Sequence, residues 1–497
     1  MHIAAPESRP EPPAAAGIAP AAVPSRPLVV DLDGSLIRTD LLHETANALL
    51  VARPFAFLRA LLRAGGSRAR LKAELGRAAT LDPAALPYNQ ELLSWLIEQR
   101  RAGRRLVLAT ASDRVPAEQI AAHLGLFEQV LASDGVENLR GRAKRDALVA
   151  RYGERGFDYV GDSVHDLEVW ASAHTAHPAN ASAAVLRAMP QGTALGRAFP
   201  VDRQSPLVVW AQALRLYQWA KNLLLLVPLA AAHRLLVPGA ALAALIGFLC
   251  FGLCASSVYL LNDLVDVQDD RRHRSKCRRP FASGRLTLVR GWLVMPLPLS
   301  LGLAAAFTLL PWQFGIMLLV YYCMTLAYSL RLKRMMMVDV ITLALLYTVR
   351  VVAGGLATAT PVSFWLLTFA LFIFTSLALI KRYTELKEAR SQGRKETLAG
   401  RGYDPSDLEM VASLGAAAGY LSVMVLALYI QDPASGQLYR HPAWLWPACP
   451  LLLYWVSRAW MLAYRGRMTD DPILYALRDR ASLLTGALFL VVFALAR

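Results

Sequence analysis

Asp31 and Asp33 stand one residue apart in the stretch DLDGSL, directly after the apolar run LVV. Two carboxylates so placed can divide a phosphate-ester reaction between them, one attacking phosphorus and the other protonating the leaving oxygen. Three later stretches supply the rest of such a site. Thr110 in LVLATAS can hold a phosphoryl oxygen, and Lys144 in GRAKRDAL brings a charge to offset carboxylates and phosphate. Asp162 and Asp166 in FDYVGDSVHD suit Mg²⁺, which takes hard oxygen ligands.

A second acidic group lies in NDLVDVQDDRRHRSKCRRP, residues 262–280. On a helix of about 100° per residue, Asn262, Asp263, Asp266, Asp269 and Asp270 would share about 120° of arc. Carboxylates crowded in this way repel one another and are costly at the end of an apolar run. A divalent cation is the natural remedy, and Mg²⁺ held by carboxylates commonly carries a diphosphate. His273, Lys276, Arg278 and Arg279 follow and can hold the outer phosphate oxygens. An ordinary basic loop would account for the cations but not for four aspartates on one face.

The elements that must position these residues fall into two halves. The chain has 497 residues, 55% hydrophobic, with a formal net charge of +16. That length calls for two or more domains, and that apolar fraction is high for a soluble protein. The basic residues cluster between apolar runs, which points to membrane and phosphate and away from nucleic acid. Five cysteines without a CxxC pair, four of them in apolar runs, imply neither a disulfide framework nor a zinc site. Residues 1–27, rich in Pro and Ala without an apolar core, read as a disordered tail rather than a secretory signal.

From 28 to 198, short β-like runs alternate with helical stretches, the pattern of a parallel α/β sheet. The aspartate pairs then sit at strand C-terminal ends, where ligands bind in such sheets. The four motifs, in this order and spacing, resemble the haloacid dehalogenase superfamily of phosphohydrolases. The resemblance implies Asp31 as nucleophile and Asp33 as acid and base. It implies Thr110 and Lys144 on the phosphate, and Mg²⁺ held by Asp31, Asp162 and Asp166. Ser35 stands where Thr is commoner. The resemblance also makes residues 41–90 a cap over the site. Within it, RPFAFLRALLRAGGSRARLKAELGRAA mixes Phe55, Phe57, Leu58, Leu61 and Leu62 with Arg53, Arg59, Arg63, Arg68, Arg70 and Lys72, as a helix lying on an anionic membrane would.

Residues 199–214 read as a linker, and 215–497 as a membrane domain. Nine apolar runs, at 220–236, 239–261, 291–310, 312–330, 337–356, 362–380, 408–430, 443–463 and 481–496, approach the roughly 20 residues a spanning helix needs. Lys and Arg concentrate after the even-numbered runs, so those loops and the N-terminus are expected in the cytoplasm of a bacterial-type inner membrane. Nine spans put the C-terminus outside.

NDxxDxxxD followed by RRP and ASG, with LRLYQWAKN at 214–222 and YSLRLK at 328–333, resembles the UbiA-type intramembrane prenyltransferases. The resemblance implies an all-helical bundle around a cavity open to lipid. Many members carry a second motif, DxxxD. Here KRMMMVDVITL has Asp339, but position 343 is Leu. The lone Asp339, Arg350 with AGG after it, KRYTEL at 381–386 and RGY at 401–403 are more similar to the decaprenyl-phosphate phosphoribosyltransferase branch. That branch implies a phosphoribosyl pyrophosphate (PRPP) donor and a polyprenyl phosphate acceptor. Asn262, Asp263, Asp266 and Asp270 would then hold Mg²⁺. Lys276, Arg279, Lys333, Arg350, Lys381 and Arg382 would meet phosphates, and Tyr328 would orient the sugar. No role is read for Asp471, Asp479 and Arg480. Together the halves suggest phosphoribosyl transfer followed by removal of the 5-phosphate, and a homo-oligomer is compatible with this. The alternative is prenyl transfer to an aromatic or other polar acceptor, with the first half acting on another phosphate ester or as a binding module.

Overall fold

The computed structural model describes residues 26–134, 138–200, 204–391, 402–433, 438–468 and 471–497. Most of the expected tail, Arg401 of the RGY stretch and part of the linker lie outside them. The chain divides into two compact units, meeting in sequence at Arg203 and Gln204.

The first unit is built on a parallel sheet in the order β3-β2-β1-β4-β5-β6. Its strands are β1 (Leu28–Val30), β2 (Leu106–Asp113), β3 (Gln129–Ser133), β4 (Asp158–Gly161), β5 (Thr175–Pro178) and β6 (Ala194–Leu195). Between β1 and β2 come α1 (Leu41–Ala52), α2 (Pro54–Ala64), α3 (Arg68–Ala78) and α4 (Gln90–Arg101). The remaining helices are α5 (Arg114–Leu124), α6 (Arg142–Tyr152), α7 (Leu167–Ser172) and α8 (Ala183–Arg187). Both sheet faces are covered. Leu28, Val30 and Leu108 pack with Leu92, Leu96 and Ile120 on one side. Val29, Val107 and Tyr159 pack with Leu148 and Trp170 on the other. Burial on both faces explains why β1 reads as an unbroken apolar run rather than an alternating one. β1 pairs with β2 on one side and β4 on the other, so the chain reverses its winding beside the end of β1. That is where a crevice opens in such sheets.

The second unit is helical. It begins with α9 (Pro206–Ala213), a 3₁₀ stretch (Leu216–Leu226) and α10 (Val227–Ala231). Then come α11 (Pro238–Val265), α12 (Val267–Arg272), α13 (Leu288–Val294), α14 (Pro296–Leu309), α15 (Trp312–Leu330), α16 (Val338–Ala357), α17 (Phe364–Ser391) and α18 (Leu408–Gln431). Helices at Ala448–Tyr464, Pro472–Ala476 and Arg480–Leu495 follow. Among the described residues six helices are long and apolar enough to cross a bilayer, not nine. The run at 220–236 is 3₁₀ as far as Leu226, a short helix over Val227–Ala231, and irregular after that. It lies against the bundle, Trp219 on Gly252 and Leu225 on Gly354, instead of forming a spanning rod. The last two runs form helices of 17 and 16 residues. Six candidate spans do not carry the count that placed the C-terminus outside.

Gly354 is where α16 meets the 3₁₀ stretch, and a Cβ there would run into the Leu225 carbonyl. Backbone against backbone cannot give way as a flexible side chain can. Gly354→Ala should therefore lower stability by about 1–3 kcal/mol, read as an earlier thermal transition of the detergent-solubilised protein. Gly239→Ala, with open space at its Cβ, should leave that transition unchanged.

Candidate functional site

In the first unit the motif residues converge at the strand ends. Asp31 follows β1, and Asp162 and Asp166 follow β4. One carboxylate oxygen from each of Asp31, Asp162 and Asp166 lies within 4.8 Å of the others. Gly34, at φ +79°, makes the approach possible, since a side chain there would strike the Asp162 carboxylate. Lys144 Nζ, from α6, donates to Asp31 Oδ1 at 2.6 Å and lies 3.8 Å from Asp166. It also donates to Tyr159 Oη at 2.9 Å, whose hydroxyl donates to Asp166 at 2.7 Å.

Asp33 is held apart from this cluster. It accepts from the Leu41 backbone N–H at 2.7 Å, from Ser112 Oγ at 2.6 Å and from Thr110 Oγ1 at 3.2 Å. Ser35 Oγ is 3.4 Å from Asp31. From the cap, α3 sends Lys72 to the Ala111 carbonyl at 2.6 Å. Ser112 and Tyr159 were not singled out in the sequence, and Lys72 was read there only as one of the basic residues of the cap. Ser112 was findable, because it lies two residues beyond Thr110 on the same strand face.

Burial acts on these groups unequally. It pushes Asp31 up to about 7 against the pull of Lys144. It pushes Asp162 up to about 9, with Asp31 and Asp166 adding to the rise. Burial raises Asp33 too, and Asp40 adds to it. Asp166 is also buried, yet Lys144, Tyr159 and Ser163 more than offset the penalty and hold it low. Three carboxylates facing a single ammonium form a donor set that fits a hard divalent cation.

In the second unit the acidic stretch is not one helix. α11 ends at Val265, Asp266 turns the chain, and α12 restarts at Val267. Asp263 and Asp270 are buried, whereas the Asp269 side chain is 82% exposed and points away. The expectation of four aspartates on one face is therefore corrected to three, because the break at Asp266 resets the helical phase. Each of the three meets a cation. Asp263 pairs with Arg215 and with Arg279 at 3.1 Å. Asp270 lies 2.6 Å from Arg279, and Asp266 lies 3.5 Å from Lys333. Burial pushes Asp270 up to about 6 against Arg279. Asn262 is half-buried one position before Asp263, and Lys276 is exposed on the turn after α12.

The other candidates fall into separate networks. Arg382 is fully buried, bound to Asp339 and Glu385, and donates to Tyr328 Oη at 2.8 Å. Tyr403 closes the far side of Asp339 at 2.7 Å. Arg350 donates to Asn222, Tyr321 and the Leu346 carbonyl at 2.6–3.1 Å and lies over the Tyr321 ring. Lys221 pairs with Asp471, and the charges of Lys221 and Lys381 hold the buried Asp471 low. Arg458 grips Asp479 with both arms at 2.6 and 3.0 Å, and Asp479 caps the helix that begins at Arg480. Arg215, Lys221 and Asp471 carried no individual reading in the sequence. The first two lie in LRLYQWAKN, but the Lys221–Asp471 pair joins segments 250 positions apart and leaves no local pattern.

The Lys221–Asp471 pair can be tested as a unit. Lys221→Met or Asp471→Asn alone should cost about 3–5 kcal/mol, the penalty for leaving one buried charge unmatched. The double variant should recover most of that loss in a thermal unfolding measurement.

The model of the UbiA prenyltransferase family matches residues 223–493, and that of the haloacid dehalogenase-like hydrolases matches residues 28–170. Uncharacterized protein y4nM of Sinorhizobium fredii is 37% identical over 471 residues, covering 95% of this chain and 91% of that one. Nodulation protein NoeC of Azorhizobium caulinodans is 37% identical over 285 residues, 56% of this chain and 90% of its own. Decaprenyl-phosphate phosphoribosyltransferase of Mycobacterium tuberculosis is 33% identical over 280 residues, 54% of this chain and 87% of its own.

Proposed function

This chain belongs to the UbiA prenyltransferase family and carries a haloacid dehalogenase-like hydrolase domain ahead of it, and on that premise we propose that it makes a lipid-linked ribose in two steps. The membrane half transfers 5-phosphoribosyl from PRPP to a polyprenyl phosphate, and the soluble half removes the 5-phosphate from that product. One observation carries the choice of donor. Leu343 stands where a second acidic motif needs a carboxylate, and Asp339 is fully enclosed by Arg382 and Tyr403. A prenyl diphosphate held between two acidic motifs would need Asp339 free. Similarity over 87% of the Mycobacterium decaprenyl-phosphate phosphoribosyltransferase supports the same reading.

In the transfer, a phosphate oxygen of the lipid attacks C1 of the ribose as the bond from C1 to pyrophosphate breaks. Asp263, Asp266 and Asp270, with Asn262 beside them, are the oxygen donors for Mg²⁺, which when bound neutralises the departing pyrophosphate. Arg279, Arg215, Lys276 and Lys333 lie at these carboxylates or on the adjoining turn and bind phosphate oxygens. Lys381, with Arg350 and Arg382 deeper in the bundle, adds positive charge for the second anionic substrate, and Tyr328 orients the sugar.

In the hydrolysis, Asp31 attacks phosphorus and Asp33 donates its proton to the leaving ribose oxygen. Burial keeps Asp33 protonated to higher pH, as a general acid requires. Asp33 then takes a proton from the water that attacks the phosphoaspartyl group, which frees inorganic phosphate. Lys144 and Thr110 hold the phosphoryl oxygens, and Asp162 and Asp166 complete the Mg²⁺ donor set with Asp31. On this reading the hydrolase half and both chemistries face the cytoplasm of a multi-pass inner-membrane protein, a topology that the basic loops support.

Purified protein given Mg²⁺, ribose-labelled PRPP and polyprenyl phosphate should place label in the lipid extract, and an unlabelled extract would sink the transferase reading. Asp263→Asn should cut that labelling by about 100-fold or more. Asp31→Asn should still label lipid but leave the product carrying its 5-phosphate. Equal accumulation of that phosphorylated lipid by the unaltered protein would separate the two activities.

A further inference from the structure

Among the described residues, the cap of the first unit leaves one helix face exposed. α2 packs inward through Ala56, Phe57 and Ala60, against Leu49 of α1 and Leu75 of α3. Its outer side presents Phe55, Leu58 and Leu62, exposed by 83%, 52% and 73%. At about 100° per residue these three share about 60° of arc, and Arg59 and Arg63 border them on one side. Residues 53–78 contain seven Arg or Lys and one acidic residue, Glu74, which lies 3.8 Å from Arg63. Single exposed apolar residues are ordinary, but a contiguous stripe bordered by cations marks a binding face.

We propose that α2 docks on an anionic bilayer surface, with Phe55, Leu58 and Leu62 entering the acyl boundary and Arg59 and Arg63 meeting lipid phosphates. Two observations select lipid over protein. The cationic border complements anionic headgroups, whereas a second copy on the same face would set Arg59 and Arg63 against their own counterparts. The chain also carries six candidate membrane spans of its own, so a bilayer is tethered to the same chain as this face. The consequence reaches the acidic site through the helices beside α2. Leu41, at the start of α1, donates to Asp33, and Lys72 of α3 donates to Ala111, next to Ser112. A docked α2 holds the mouth of that site at headgroup level, whichever phosphate ester it cleaves.

The full-length protein, with Cys277→Ser and Cys323→Ala to remove the two cysteines that are not buried, would carry an environment-sensitive fluorophore on Leu62→Cys. Phe55→Cys gives a second reporter, and Glu118→Cys on the exposed side of α5 gives the reference. In phosphatidylcholine nanodiscs containing phosphatidylglycerol, emission from positions 55 and 62 should shift to the blue and be quenched by acyl-chain nitroxides, while position 118 stays water-like. Arg59→Glu with Arg63→Glu should abolish the difference between anionic and pure phosphatidylcholine discs. Water-like emission at both reporters in anionic discs would overturn the proposal. So would a blue shift that is untouched by the nitroxides and rises with protein concentration, which would assign the face to a second copy.

Discussion

A single oxygen, Asp263 Oδ1, accepts from both Arg215 and Arg279. Asp263 is 2% exposed near the end of a 28-residue apolar helix, where an ionised carboxylate persists only against opposite charge. Much of the second unit is arranged around meeting that demand. Arg215 adopts a left-handed backbone at φ 50°, which costs a non-glycine residue about 1–2 kcal/mol. The ion pair and its stacking over Tyr259 at 4.9 Å offset that strain. The same contact ties the end of α9 to α11, and Arg279 ties in the turn after α12. Three segments that leave the helical core in different directions are thus pinned at one atom.

The two acidic sites meet the same constraint with opposite balances. At the membrane site Asp263, Asp266 and Asp270 face Arg215, Arg279 and Lys333, and charge is matched within the protein. In the first unit Asp31, Asp162 and Asp166 face Lys144 as the one ammonium among the described residues, and burial drives Asp162 up to about 9. Asp166 is nevertheless held low by Lys144, Tyr159 and Ser163, so it is Asp162 above all that an added cation would help to ionise near neutral pH. On the proposed reading, the membrane site would need one only when a diphosphate draws the arginines and lysine off their carboxylates. On the proposed reading this exchange of partners is chemically apt, because the released cations are already positioned to bind the incoming phosphates.

What the sequence disclosed follows from how local each feature is. Asp31, Asp162 and Asp166 lie just beyond short strands, Thr110 lies inside β2 and Lys144 in the first turn of α6, so apolar run plus motif was enough to bring the carboxylates to one end of the sheet. The turn at Asp266 was hidden because nothing in NDLVDVQDD breaks a helix by composition, yet it turns Asp269 outward. The segment 220–236 is apolar enough to suggest a span. Its packing on Gly252 and Gly354 lies in residues well downstream, and a window of hydropathy cannot see them. Lys221 with Asp471 and Asp339 with Tyr403 are likewise tertiary pairs, joining segments more than 60 positions apart.

Asp339 also shows why a missing carboxylate can change chemistry rather than merely weaken it. Two acidic motifs facing each other would leave surplus negative charge for metal at both. Here Leu343 adds none, and Arg382 and Tyr403 satisfy both oxygens of the one acid that remains. Asp339 thus has both oxygens engaged within the protein, while Lys221 and Lys381 lie close to Asp471. On the proposed reading, a diphosphate carried by metal meets Asp263, Asp266 and Asp270, and the lipid phosphate, carried without it, meets Lys381. Such a reaction leaves its product anchored in the bilayer, and a second active site on the same chain raises the effective concentration of its phosphate only if that site can reach the membrane surface. The basic, apolar outer face of α2 would supply that reach.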